Sequence, residues 1–384
     1  VISPSLALRR SQLAVATLFL VLGFNFSSWA SRIPALKNQL ALSAAEVGVL
    51  LLACGLGAVF SFPVTTVLLQ RLGSRRLCML TGALLPLLLL SLGLVQNLQI
   101  AMLVMALEGL VVSCLNVAMN AQGVAVETLG QRAIMSRLHA VFSLGGLLGA
   151  LFASAITSFS ASLLLHFALC AALLWAAVIL ALPYLVADTL RAPNKAVSET
   201  KSGWRIAWPN TLALWLGAIV MCGTVVENSM SDWSALYLKE VVRVAPELAP
   251  LGIACVSGAM LLARWFGDGW RMRWGAQRML TIGGALAGSG LAMALLLGGL
   301  IPALLGFALV GLGIAAVSPC VYTAAAKNGP VALASVTTMG SIGGLMGPPM
   351  IGFIAHASSF SWGMAVIALA AWLVAAGTCK VRWD

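Results

Sequence analysis

Along this chain the apolar residues do not alternate; they run on for some twenty positions at a time, broken by short polar punctuation. A helix that crosses a bilayer needs roughly 20 mainly apolar residues. Twelve runs meet that requirement, starting near residues 11, 45, 77, 98, 136, 162, 209, 248, 277, 301, 332 and 361. Strands of a membrane barrel would alternate apolar and polar positions, and these runs do not. The pattern predicts an all-α membrane protein with twelve transmembrane helices. One connection is long and polar enough to be an interdomain linker. It divides the chain into a six-helix bundle at 1–187, a linker at 188–208 and a second six-helix bundle at 209–384.

Composition agrees with the pattern. Of the 384 residues 61% are hydrophobic and 9% charged, against about 25% charged in a soluble domain, and mean hydropathy is +1.02. The net charge of +11 does not form a basic face beside stacking aromatics, so no nucleic-acid partner is expected. With the N-terminus inside, 17 of the 22 basic residues fall in internal segments, four in external loops and Arg264 within span 8. That asymmetry predicts cytoplasmic termini and a cytoplasmic linker. All eight cysteines lie in apolar stretches without CxxC spacing, as buried thiols do. The first apolar run continues too far for a cleavable signal peptide. No phosphate-binding GxxxxGK[ST] loop, His-rich metal cluster or nucleophile–base pair is present. Neither an enzyme nor a cofactor or metal is expected.

The halves resemble each other at an offset of about 200 residues. Ser28-Trp29-Ala30 answers Asp232-Trp233-Ser234; Gly73 with Arg76 answers Gly275 with Arg278; the Ser143–Gly149 run answers Ser341–Gly347. Parallel six-helix repeats imply a transport path between the halves. Twelve spans as six plus six, with short basic loops after spans 2 and 8, resemble the major facilitator superfamily along the whole chain. SSWASRIPALK (27–37), the span 4 pattern of Asn116, Asn120 and Glu127, MSRLHAVFSLGGLLGA (135–150), ARWFGD (263–268) and GGLMGPP (343–349) are similar to bacterial YbjJ-type inner-membrane proteins and the fucose:proton symporter group. The resemblance implies a monomeric secondary transporter of the bacterial inner membrane, working by alternating access on a small polar solute. In the symporter pattern an acidic residue stands at Asn116, so a coupling proton needs another carrier. The family's latch acids are replaced by Gln70 and Met272. The Gly-Pro element that antiporters carry in span 5 is missing, which favours import.

Intramembrane polar residues are the candidate machinery, because an ionisable group at the bilayer centre costs about 2.5–3.5 kcal/mol on insertion scales. Span 4 carries Glu108 at mid-depth, with Asn116, Asn120 and Glu127 on the same face at about 100° per residue and Gln122 at its edge. Glu108 is the first proton-coupling candidate and Glu227 in span 7 the second. Asn25, Trp29, Asn116, Asn120, Asn228, Ser318 and Tyr322 are expected along the substrate path; Asn pairs also serve as interhelical glue. Trp29 is equally readable as an interfacial anchor. Pro319 permits a kink in span 10. Arg32 and Asp232 are expected to pair across the pseudo-twofold as an outer gate. Glu127, Arg137, His139, Arg264 and Asp268 are expected to form the inner gate, with Arg264 and Asp268 close enough along one helix to pair. The favoured function is proton-coupled symport; a proton/drug antiporter and a solute receptor without flux are the alternatives.

Overall fold

The computed structural model of the protein describes residues 4–132, 134–188, 210–381 and 383. The expected linker, beyond Asp188, lies outside the described residues, as does the side chain of Asp268. Among the described residues there are helices and no strands. They are α1 Pro4–Ala30, α2 Ile33–Gln39, α3 Ala44–Leu92, α4 Leu98–Gly130, α5 Met135–Thr157, α6 Leu163–Ala181, α7 Thr211–Tyr237, α8 Leu251–Leu297, α9 Leu300–Ile314, α10 Val317–Lys327, α11 Pro330–Ala357 and α12 Phe360–Thr378. α4, α5, α9, α11 and α12 begin within two residues of the positions that hydropathy predicts.

Polar caps set several of these starts. Ser43 and Glu46 form a reciprocal capping box at α3, and the side chains of Asn97, Ser162, Asn210 and Ser359 accept from the third backbone N–H of α4, α6, α7 and α12. Each cap satisfies an amide that hydrocarbon would leave bare.

α3 has 49 residues, about 74 Å at 1.5 Å each, more than twice the hydrocarbon thickness. It therefore cannot cross once. It reverses at Gly73, whose φ of 78° and ψ of 169° suit only glycine. Beyond the two ends of α3, Gln39 donates to the Val95 carbonyl at 3.0 Å, which brings both arms back to one face. α8, with 47 residues, does the same at Gly275, φ 76° and ψ 160°. α3 thus supplies spans 2 and 3, and α8 spans 8 and 9. Span 10 is split into α9 and α10 because Pro319 has no N–H for the Ala315 carbonyl, and the helix breaks between Ile314 and Val317. Twelve crossings result, with both chain ends on one face, called here the terminal face.

The repeat is visible in the packing. α1 lies on α5 so closely that a Cβ on Gly145 would meet the Leu20 carbonyl at 2.2 Å; α7 lies on α11 with Gly343 at 2.4 Å from the Met221 carbonyl. The small-residue faces of spans 5 and 11 are packing seams. Between bundles, Gly48 abuts Pro349 and Gly352, and Gly146 abuts Ser257. Among the described residues, every interbundle hydrogen bond lies at mid-depth or on the face opposite the termini: Lys37 to Glu240, Ser154 to the Glu247 carbonyl and Arg264 to Ser143. Toward the terminal face Asn116, Arg137, His139, Thr323 and Ser341 are exposed. The halves are closed on the opposite face and parted on the terminal one.

Candidate functional site

Ten residues into α4, about 15 Å from its start, Glu108 sits buried at 3% exposure. Its partner is Asn25 of α1, itself without exposure, whose Nδ2 donates to Oε1 at 2.6 Å. The periodicity of α4 places Glu108 on a polar face but says nothing of Asn25, 83 positions away. Backbone proximity confines the pair: a Cβ on Gly109 would meet the Cys54 carbonyl at 1.9 Å, and one on Gly57 the Ala106 carbonyl at 1.8 Å. Two oxygens of this pair, Glu108 Oε2 and Asn25 Oδ1, are buried without a partner. Two adjacent acceptors and one shared donor lack a single hydrogen. A proton on the carboxyl would supply it and remove the buried charge.

The second half builds its carboxylate differently. Arg264 of α8 donates from Nη2 to Glu227 Oε1 of α7 at 2.8 Å and from Nη1 to Ser143 Oγ of α5 at 2.7 Å. One guanidinium therefore holds an ion pair within the second bundle and reaches the first. The expectation for Arg264 is corrected accordingly. It lies about 20 Å along α8, near mid-depth, and its carboxylate is Glu227 rather than a gate residue of the terminal face.

The rest of the expected inner gate is not an ion-pair cluster among the described residues. Glu127 Oε2 accepts from the backbone N–H groups of Ile134 and Met135 at 3.0 and 3.2 Å. It caps α5, where four amides need acceptors. Arg137 and His139 are exposed, and His139 meets Phe19 edge-on at 5.3 Å. The expected outer gate is corrected too. Arg32 bonds to Thr157 Oγ1 and to the Ala161 carbonyl, while Asp232, 5% exposed, keeps Oδ1 unpartnered. Among the described residues, the ion pair that joins the halves on that face is Lys37 with Glu240. Neither residue shows itself by hydrophobic period, because both stand outside the spans.

Path residues divide likewise. Asn120 donates to the backbone and side-chain oxygens of Asn116, both at 2.8 Å; Asn116 is exposed and Asn120 half-buried. Ser318 and Tyr322 are half-buried on α10, with the Tyr322 hydroxyl filling the space beside Gly340. Trp29 is neither an interfacial anchor nor an open stacking surface: it is 5% exposed and packs edge-on against Phe26. Asn228 is occupied by α11, donating to the Gly344 carbonyl at 3.3 Å. Pro348 explains this, since it lacks the N–H that would bond that carbonyl. Trp233, the repeat partner of Trp29, donates to the Pro348 carbonyl at 3.0 Å.

Sequence reasoning found the turn at Gly73 but not what holds it. Asp188 Oδ1 accepts from the Ser74 amide at 2.8 Å and its hydroxyl at 2.9 Å. Gln122 donates to the Ser74 hydroxyl and the Val186 carbonyl and accepts from the Val186 amide, at 2.9, 3.0 and 2.9 Å. The chain after α6 is thereby tied to spans 3 and 4. The only signal for Asp188 was its place as the first linker residue, and Gln122 read as the edge of a polar stripe.

Comparison with known proteins fits this architecture. The Major Facilitator Superfamily profile matches residues 13–348. An uncharacterised MFS-type transporter of Yersinia pestis is 33% identical over 96% of this chain and 95% of its own length. Membrane protein MosC of Rhizobium meliloti is 30% identical over 90% of this chain and 83% of its own. Among solved structures, the nucleoside transporter NupG superposes with a TM-score of 0.76 at 13% identity, covering 96% of this chain and 99% of that one. A bacterial homologue of the human lysosomal transporter Spinster, in an inward-facing and occupied conformation, gives 0.70 at 14% identity, with 96% and 95% covered. At those identities the structures speak for the fold. With its twelve crossings in two like halves, the chain belongs to the Major Facilitator Superfamily.

Proposed function

We propose that this member of the superfamily is a proton-coupled symporter that takes up a small polar solute, a sugar or sugar derivative, across the bacterial inner membrane. The observation that carries the reading is the Asn25–Glu108 pair, a buried carboxyl one hydrogen short of satisfaction. When the external face opens, Glu108 takes a proton and becomes neutral; Asn25 holds the other oxygen and fixes the carboxyl's direction. The neutral, loaded carrier then closes outside and opens inside, where the proton leaves. Burying the charged form would be disfavoured in low dielectric, so an unprotonated carrier resists the loaded passage. Glu227 is the weaker proton candidate because Arg264 already balances its charge.

The path we assign runs between α4 and α10, past Asn116, Asn120, Ser318 and Tyr322, toward the parted terminal face. The excess of Lys and Arg in the segments on that face supports assigning it to the cytoplasm. Arg137, His139 and Asp268 remain proposed gate residues there. The likeness of span 4 to the fucose:proton pattern supports a sugar-like solute, and the likeness in fold to NupG, a nucleoside transporter, supports including nucleosides, which carry a ribose.

A thermal-shift screen of the purified chain against sugars, nucleosides, carboxylic acids and amphiphilic cations identifies the solute. Proteoliposomes then test coupling. Glu108→Gln is expected to abolish proton-driven accumulation while sparing counterflow exchange; wild-type accumulation in that variant would sink the assignment. Stabilisation by cations alone would instead favour antiport, and binding without flux under any gradient a receptor.

A further inference from the structure

A cavity of about 720 Å³ lies on the face opposite the termini, between the outer ends of the two bundles. Its walls include Ser31, Arg32 and Asn38 from the first half and Lys239, Pro246 and Ala249 from the second. Its size suits a small organic ligand rather than a single water. Two cations line it and, among the described residues, no carboxylate does.

Arg32 is the informative residue. It is 3% exposed, yet both guanidinium bonds go to neutral oxygens, those of Thr157 and Ala161. Among the described residues it has no acidic partner, and its Nε is buried without an acceptor. The neighbouring Ser31 hydroxyl is also buried, 3% exposed and unpartnered. A buried charge without a counter-charge costs several kcal/mol in principle, and arginine forks match the geometry of phosphate and carboxylate oxygens. Among the described residues Lys239, across the cavity, likewise has no ion pair; the adjacent Glu240 is held by Lys37.

We infer that this cavity is a binding site for an anion bearing phosphate or carboxylate oxygens, separate from the central path and independent of the proton reading. Because Arg32 belongs to one bundle and Lys239 to the other, an anion between them ties the halves together on that face. It does what the Lys37–Glu240 pair does nearby, and it favours the conformation that is closed there. Two sources supply such oxygens, a free anion and the headgroup of an anionic lipid.

The test uses the purified full chain in nanodiscs of neutral phosphatidylcholine, titrated with inorganic phosphate or citrate against chloride at matched ionic strength. A saturable rise in unfolding temperature of roughly 2–4 °C is expected, since a ligand that binds only the folded state stabilises it. Hydrogen exchange should slow in residues 33–42 and 238–250. Lys239→Gln and Arg32→Gln should each abolish both effects; Lys239, being only half-buried, gives the variant that folds without difficulty. In discs containing phosphatidylglycerol and no added anion, the same Lys239-dependent rise would assign the headgroup as the natural ligand. A rise equal to that in chloride, one unchanged in Lys239→Gln, or none in any disc would overturn the site.

Discussion

The two halves place a carboxylate at comparable depth and surround it in opposite ways. Glu108 has one neutral partner and an empty oxygen in a dry site. Glu227 has a guanidinium and retains 24% side-chain exposure. The first arrangement suits a group that changes protonation, because its one neighbour compensates no charge. The second suits a group that stays charged, and its cation reaches across to Ser143. Similar folds in the two halves therefore carry dissimilar electrostatics. The difference follows from which helix presents a partner, not from the depth of the acid.

Breaking the charged side should cost most. Arg264→Leu leaves Glu227 without its cation and removes the tie to Ser143; about 2 kcal/mol of stability should be lost, less than in a fully dry pair. Denaturant unfolding reads this, and adding Glu227→Gln to that variant should restore part of it. The reversing turns sharpen the comparison next. Gly73→Ala should cost about 1.5 kcal/mol, since φ is positive and the Asp188 carboxylate stands 2.3 Å from the new Cβ. Gly275→Ala should cost about 1 kcal/mol from its positive φ alone, because nothing lies within 4 Å of its Cβ. Equal losses would mean that Asp188 contributes nothing to the turn. Asp188→Asn should lose about 0.5–1 kcal/mol, as a charged acceptor of backbone amides becomes neutral. The smallest effect belongs to Glu108→Gln: under about 0.5 kcal/mol, for the amide supplies the hydrogen that the carboxyl lacks. A large loss on thermal unfolding would mean that Glu108 is ionised and needed so.

Much of the scaffold was legible because bilayer thickness fixes span length and Gly, Pro, Ser and Asn punctuate the runs. Leu98 begins α4 where hydropathy puts it, and Pro319 breaks span 10 where it must. Partners were less legible. A helical period reports the face a residue occupies on its own helix, not the residue opposite, so it found Glu108 without Asn25. It also put Arg264 beside its sequence neighbour Asp268, whereas the guanidinium reaches to α7 and α5. The Arg32–Asp232 pairing failed for the same reason: the two stand at the outer ends of related helices, but Arg32 bonds to Thr157 and Ala161 instead. Glu127 was recognised by its charge, while the start of α5, whose bare amides it satisfies, set its role.

The Asn228 contact to α11 has a mechanical consequence. Inside an ordinary helix a carbonyl is clasped by an amide of the same rod, and bending strains both. At Gly344 the clasp is a side chain on a separate rod, which can let go and take hold again at a cost of about 1 kcal/mol. Pro349 likewise leaves the Leu345 carbonyl without its amide, so the weak stretch of α11 lies at these two neighbouring carbonyls. A bend of α11 would be easiest there, an elastic joint in a wall that α7 otherwise holds close.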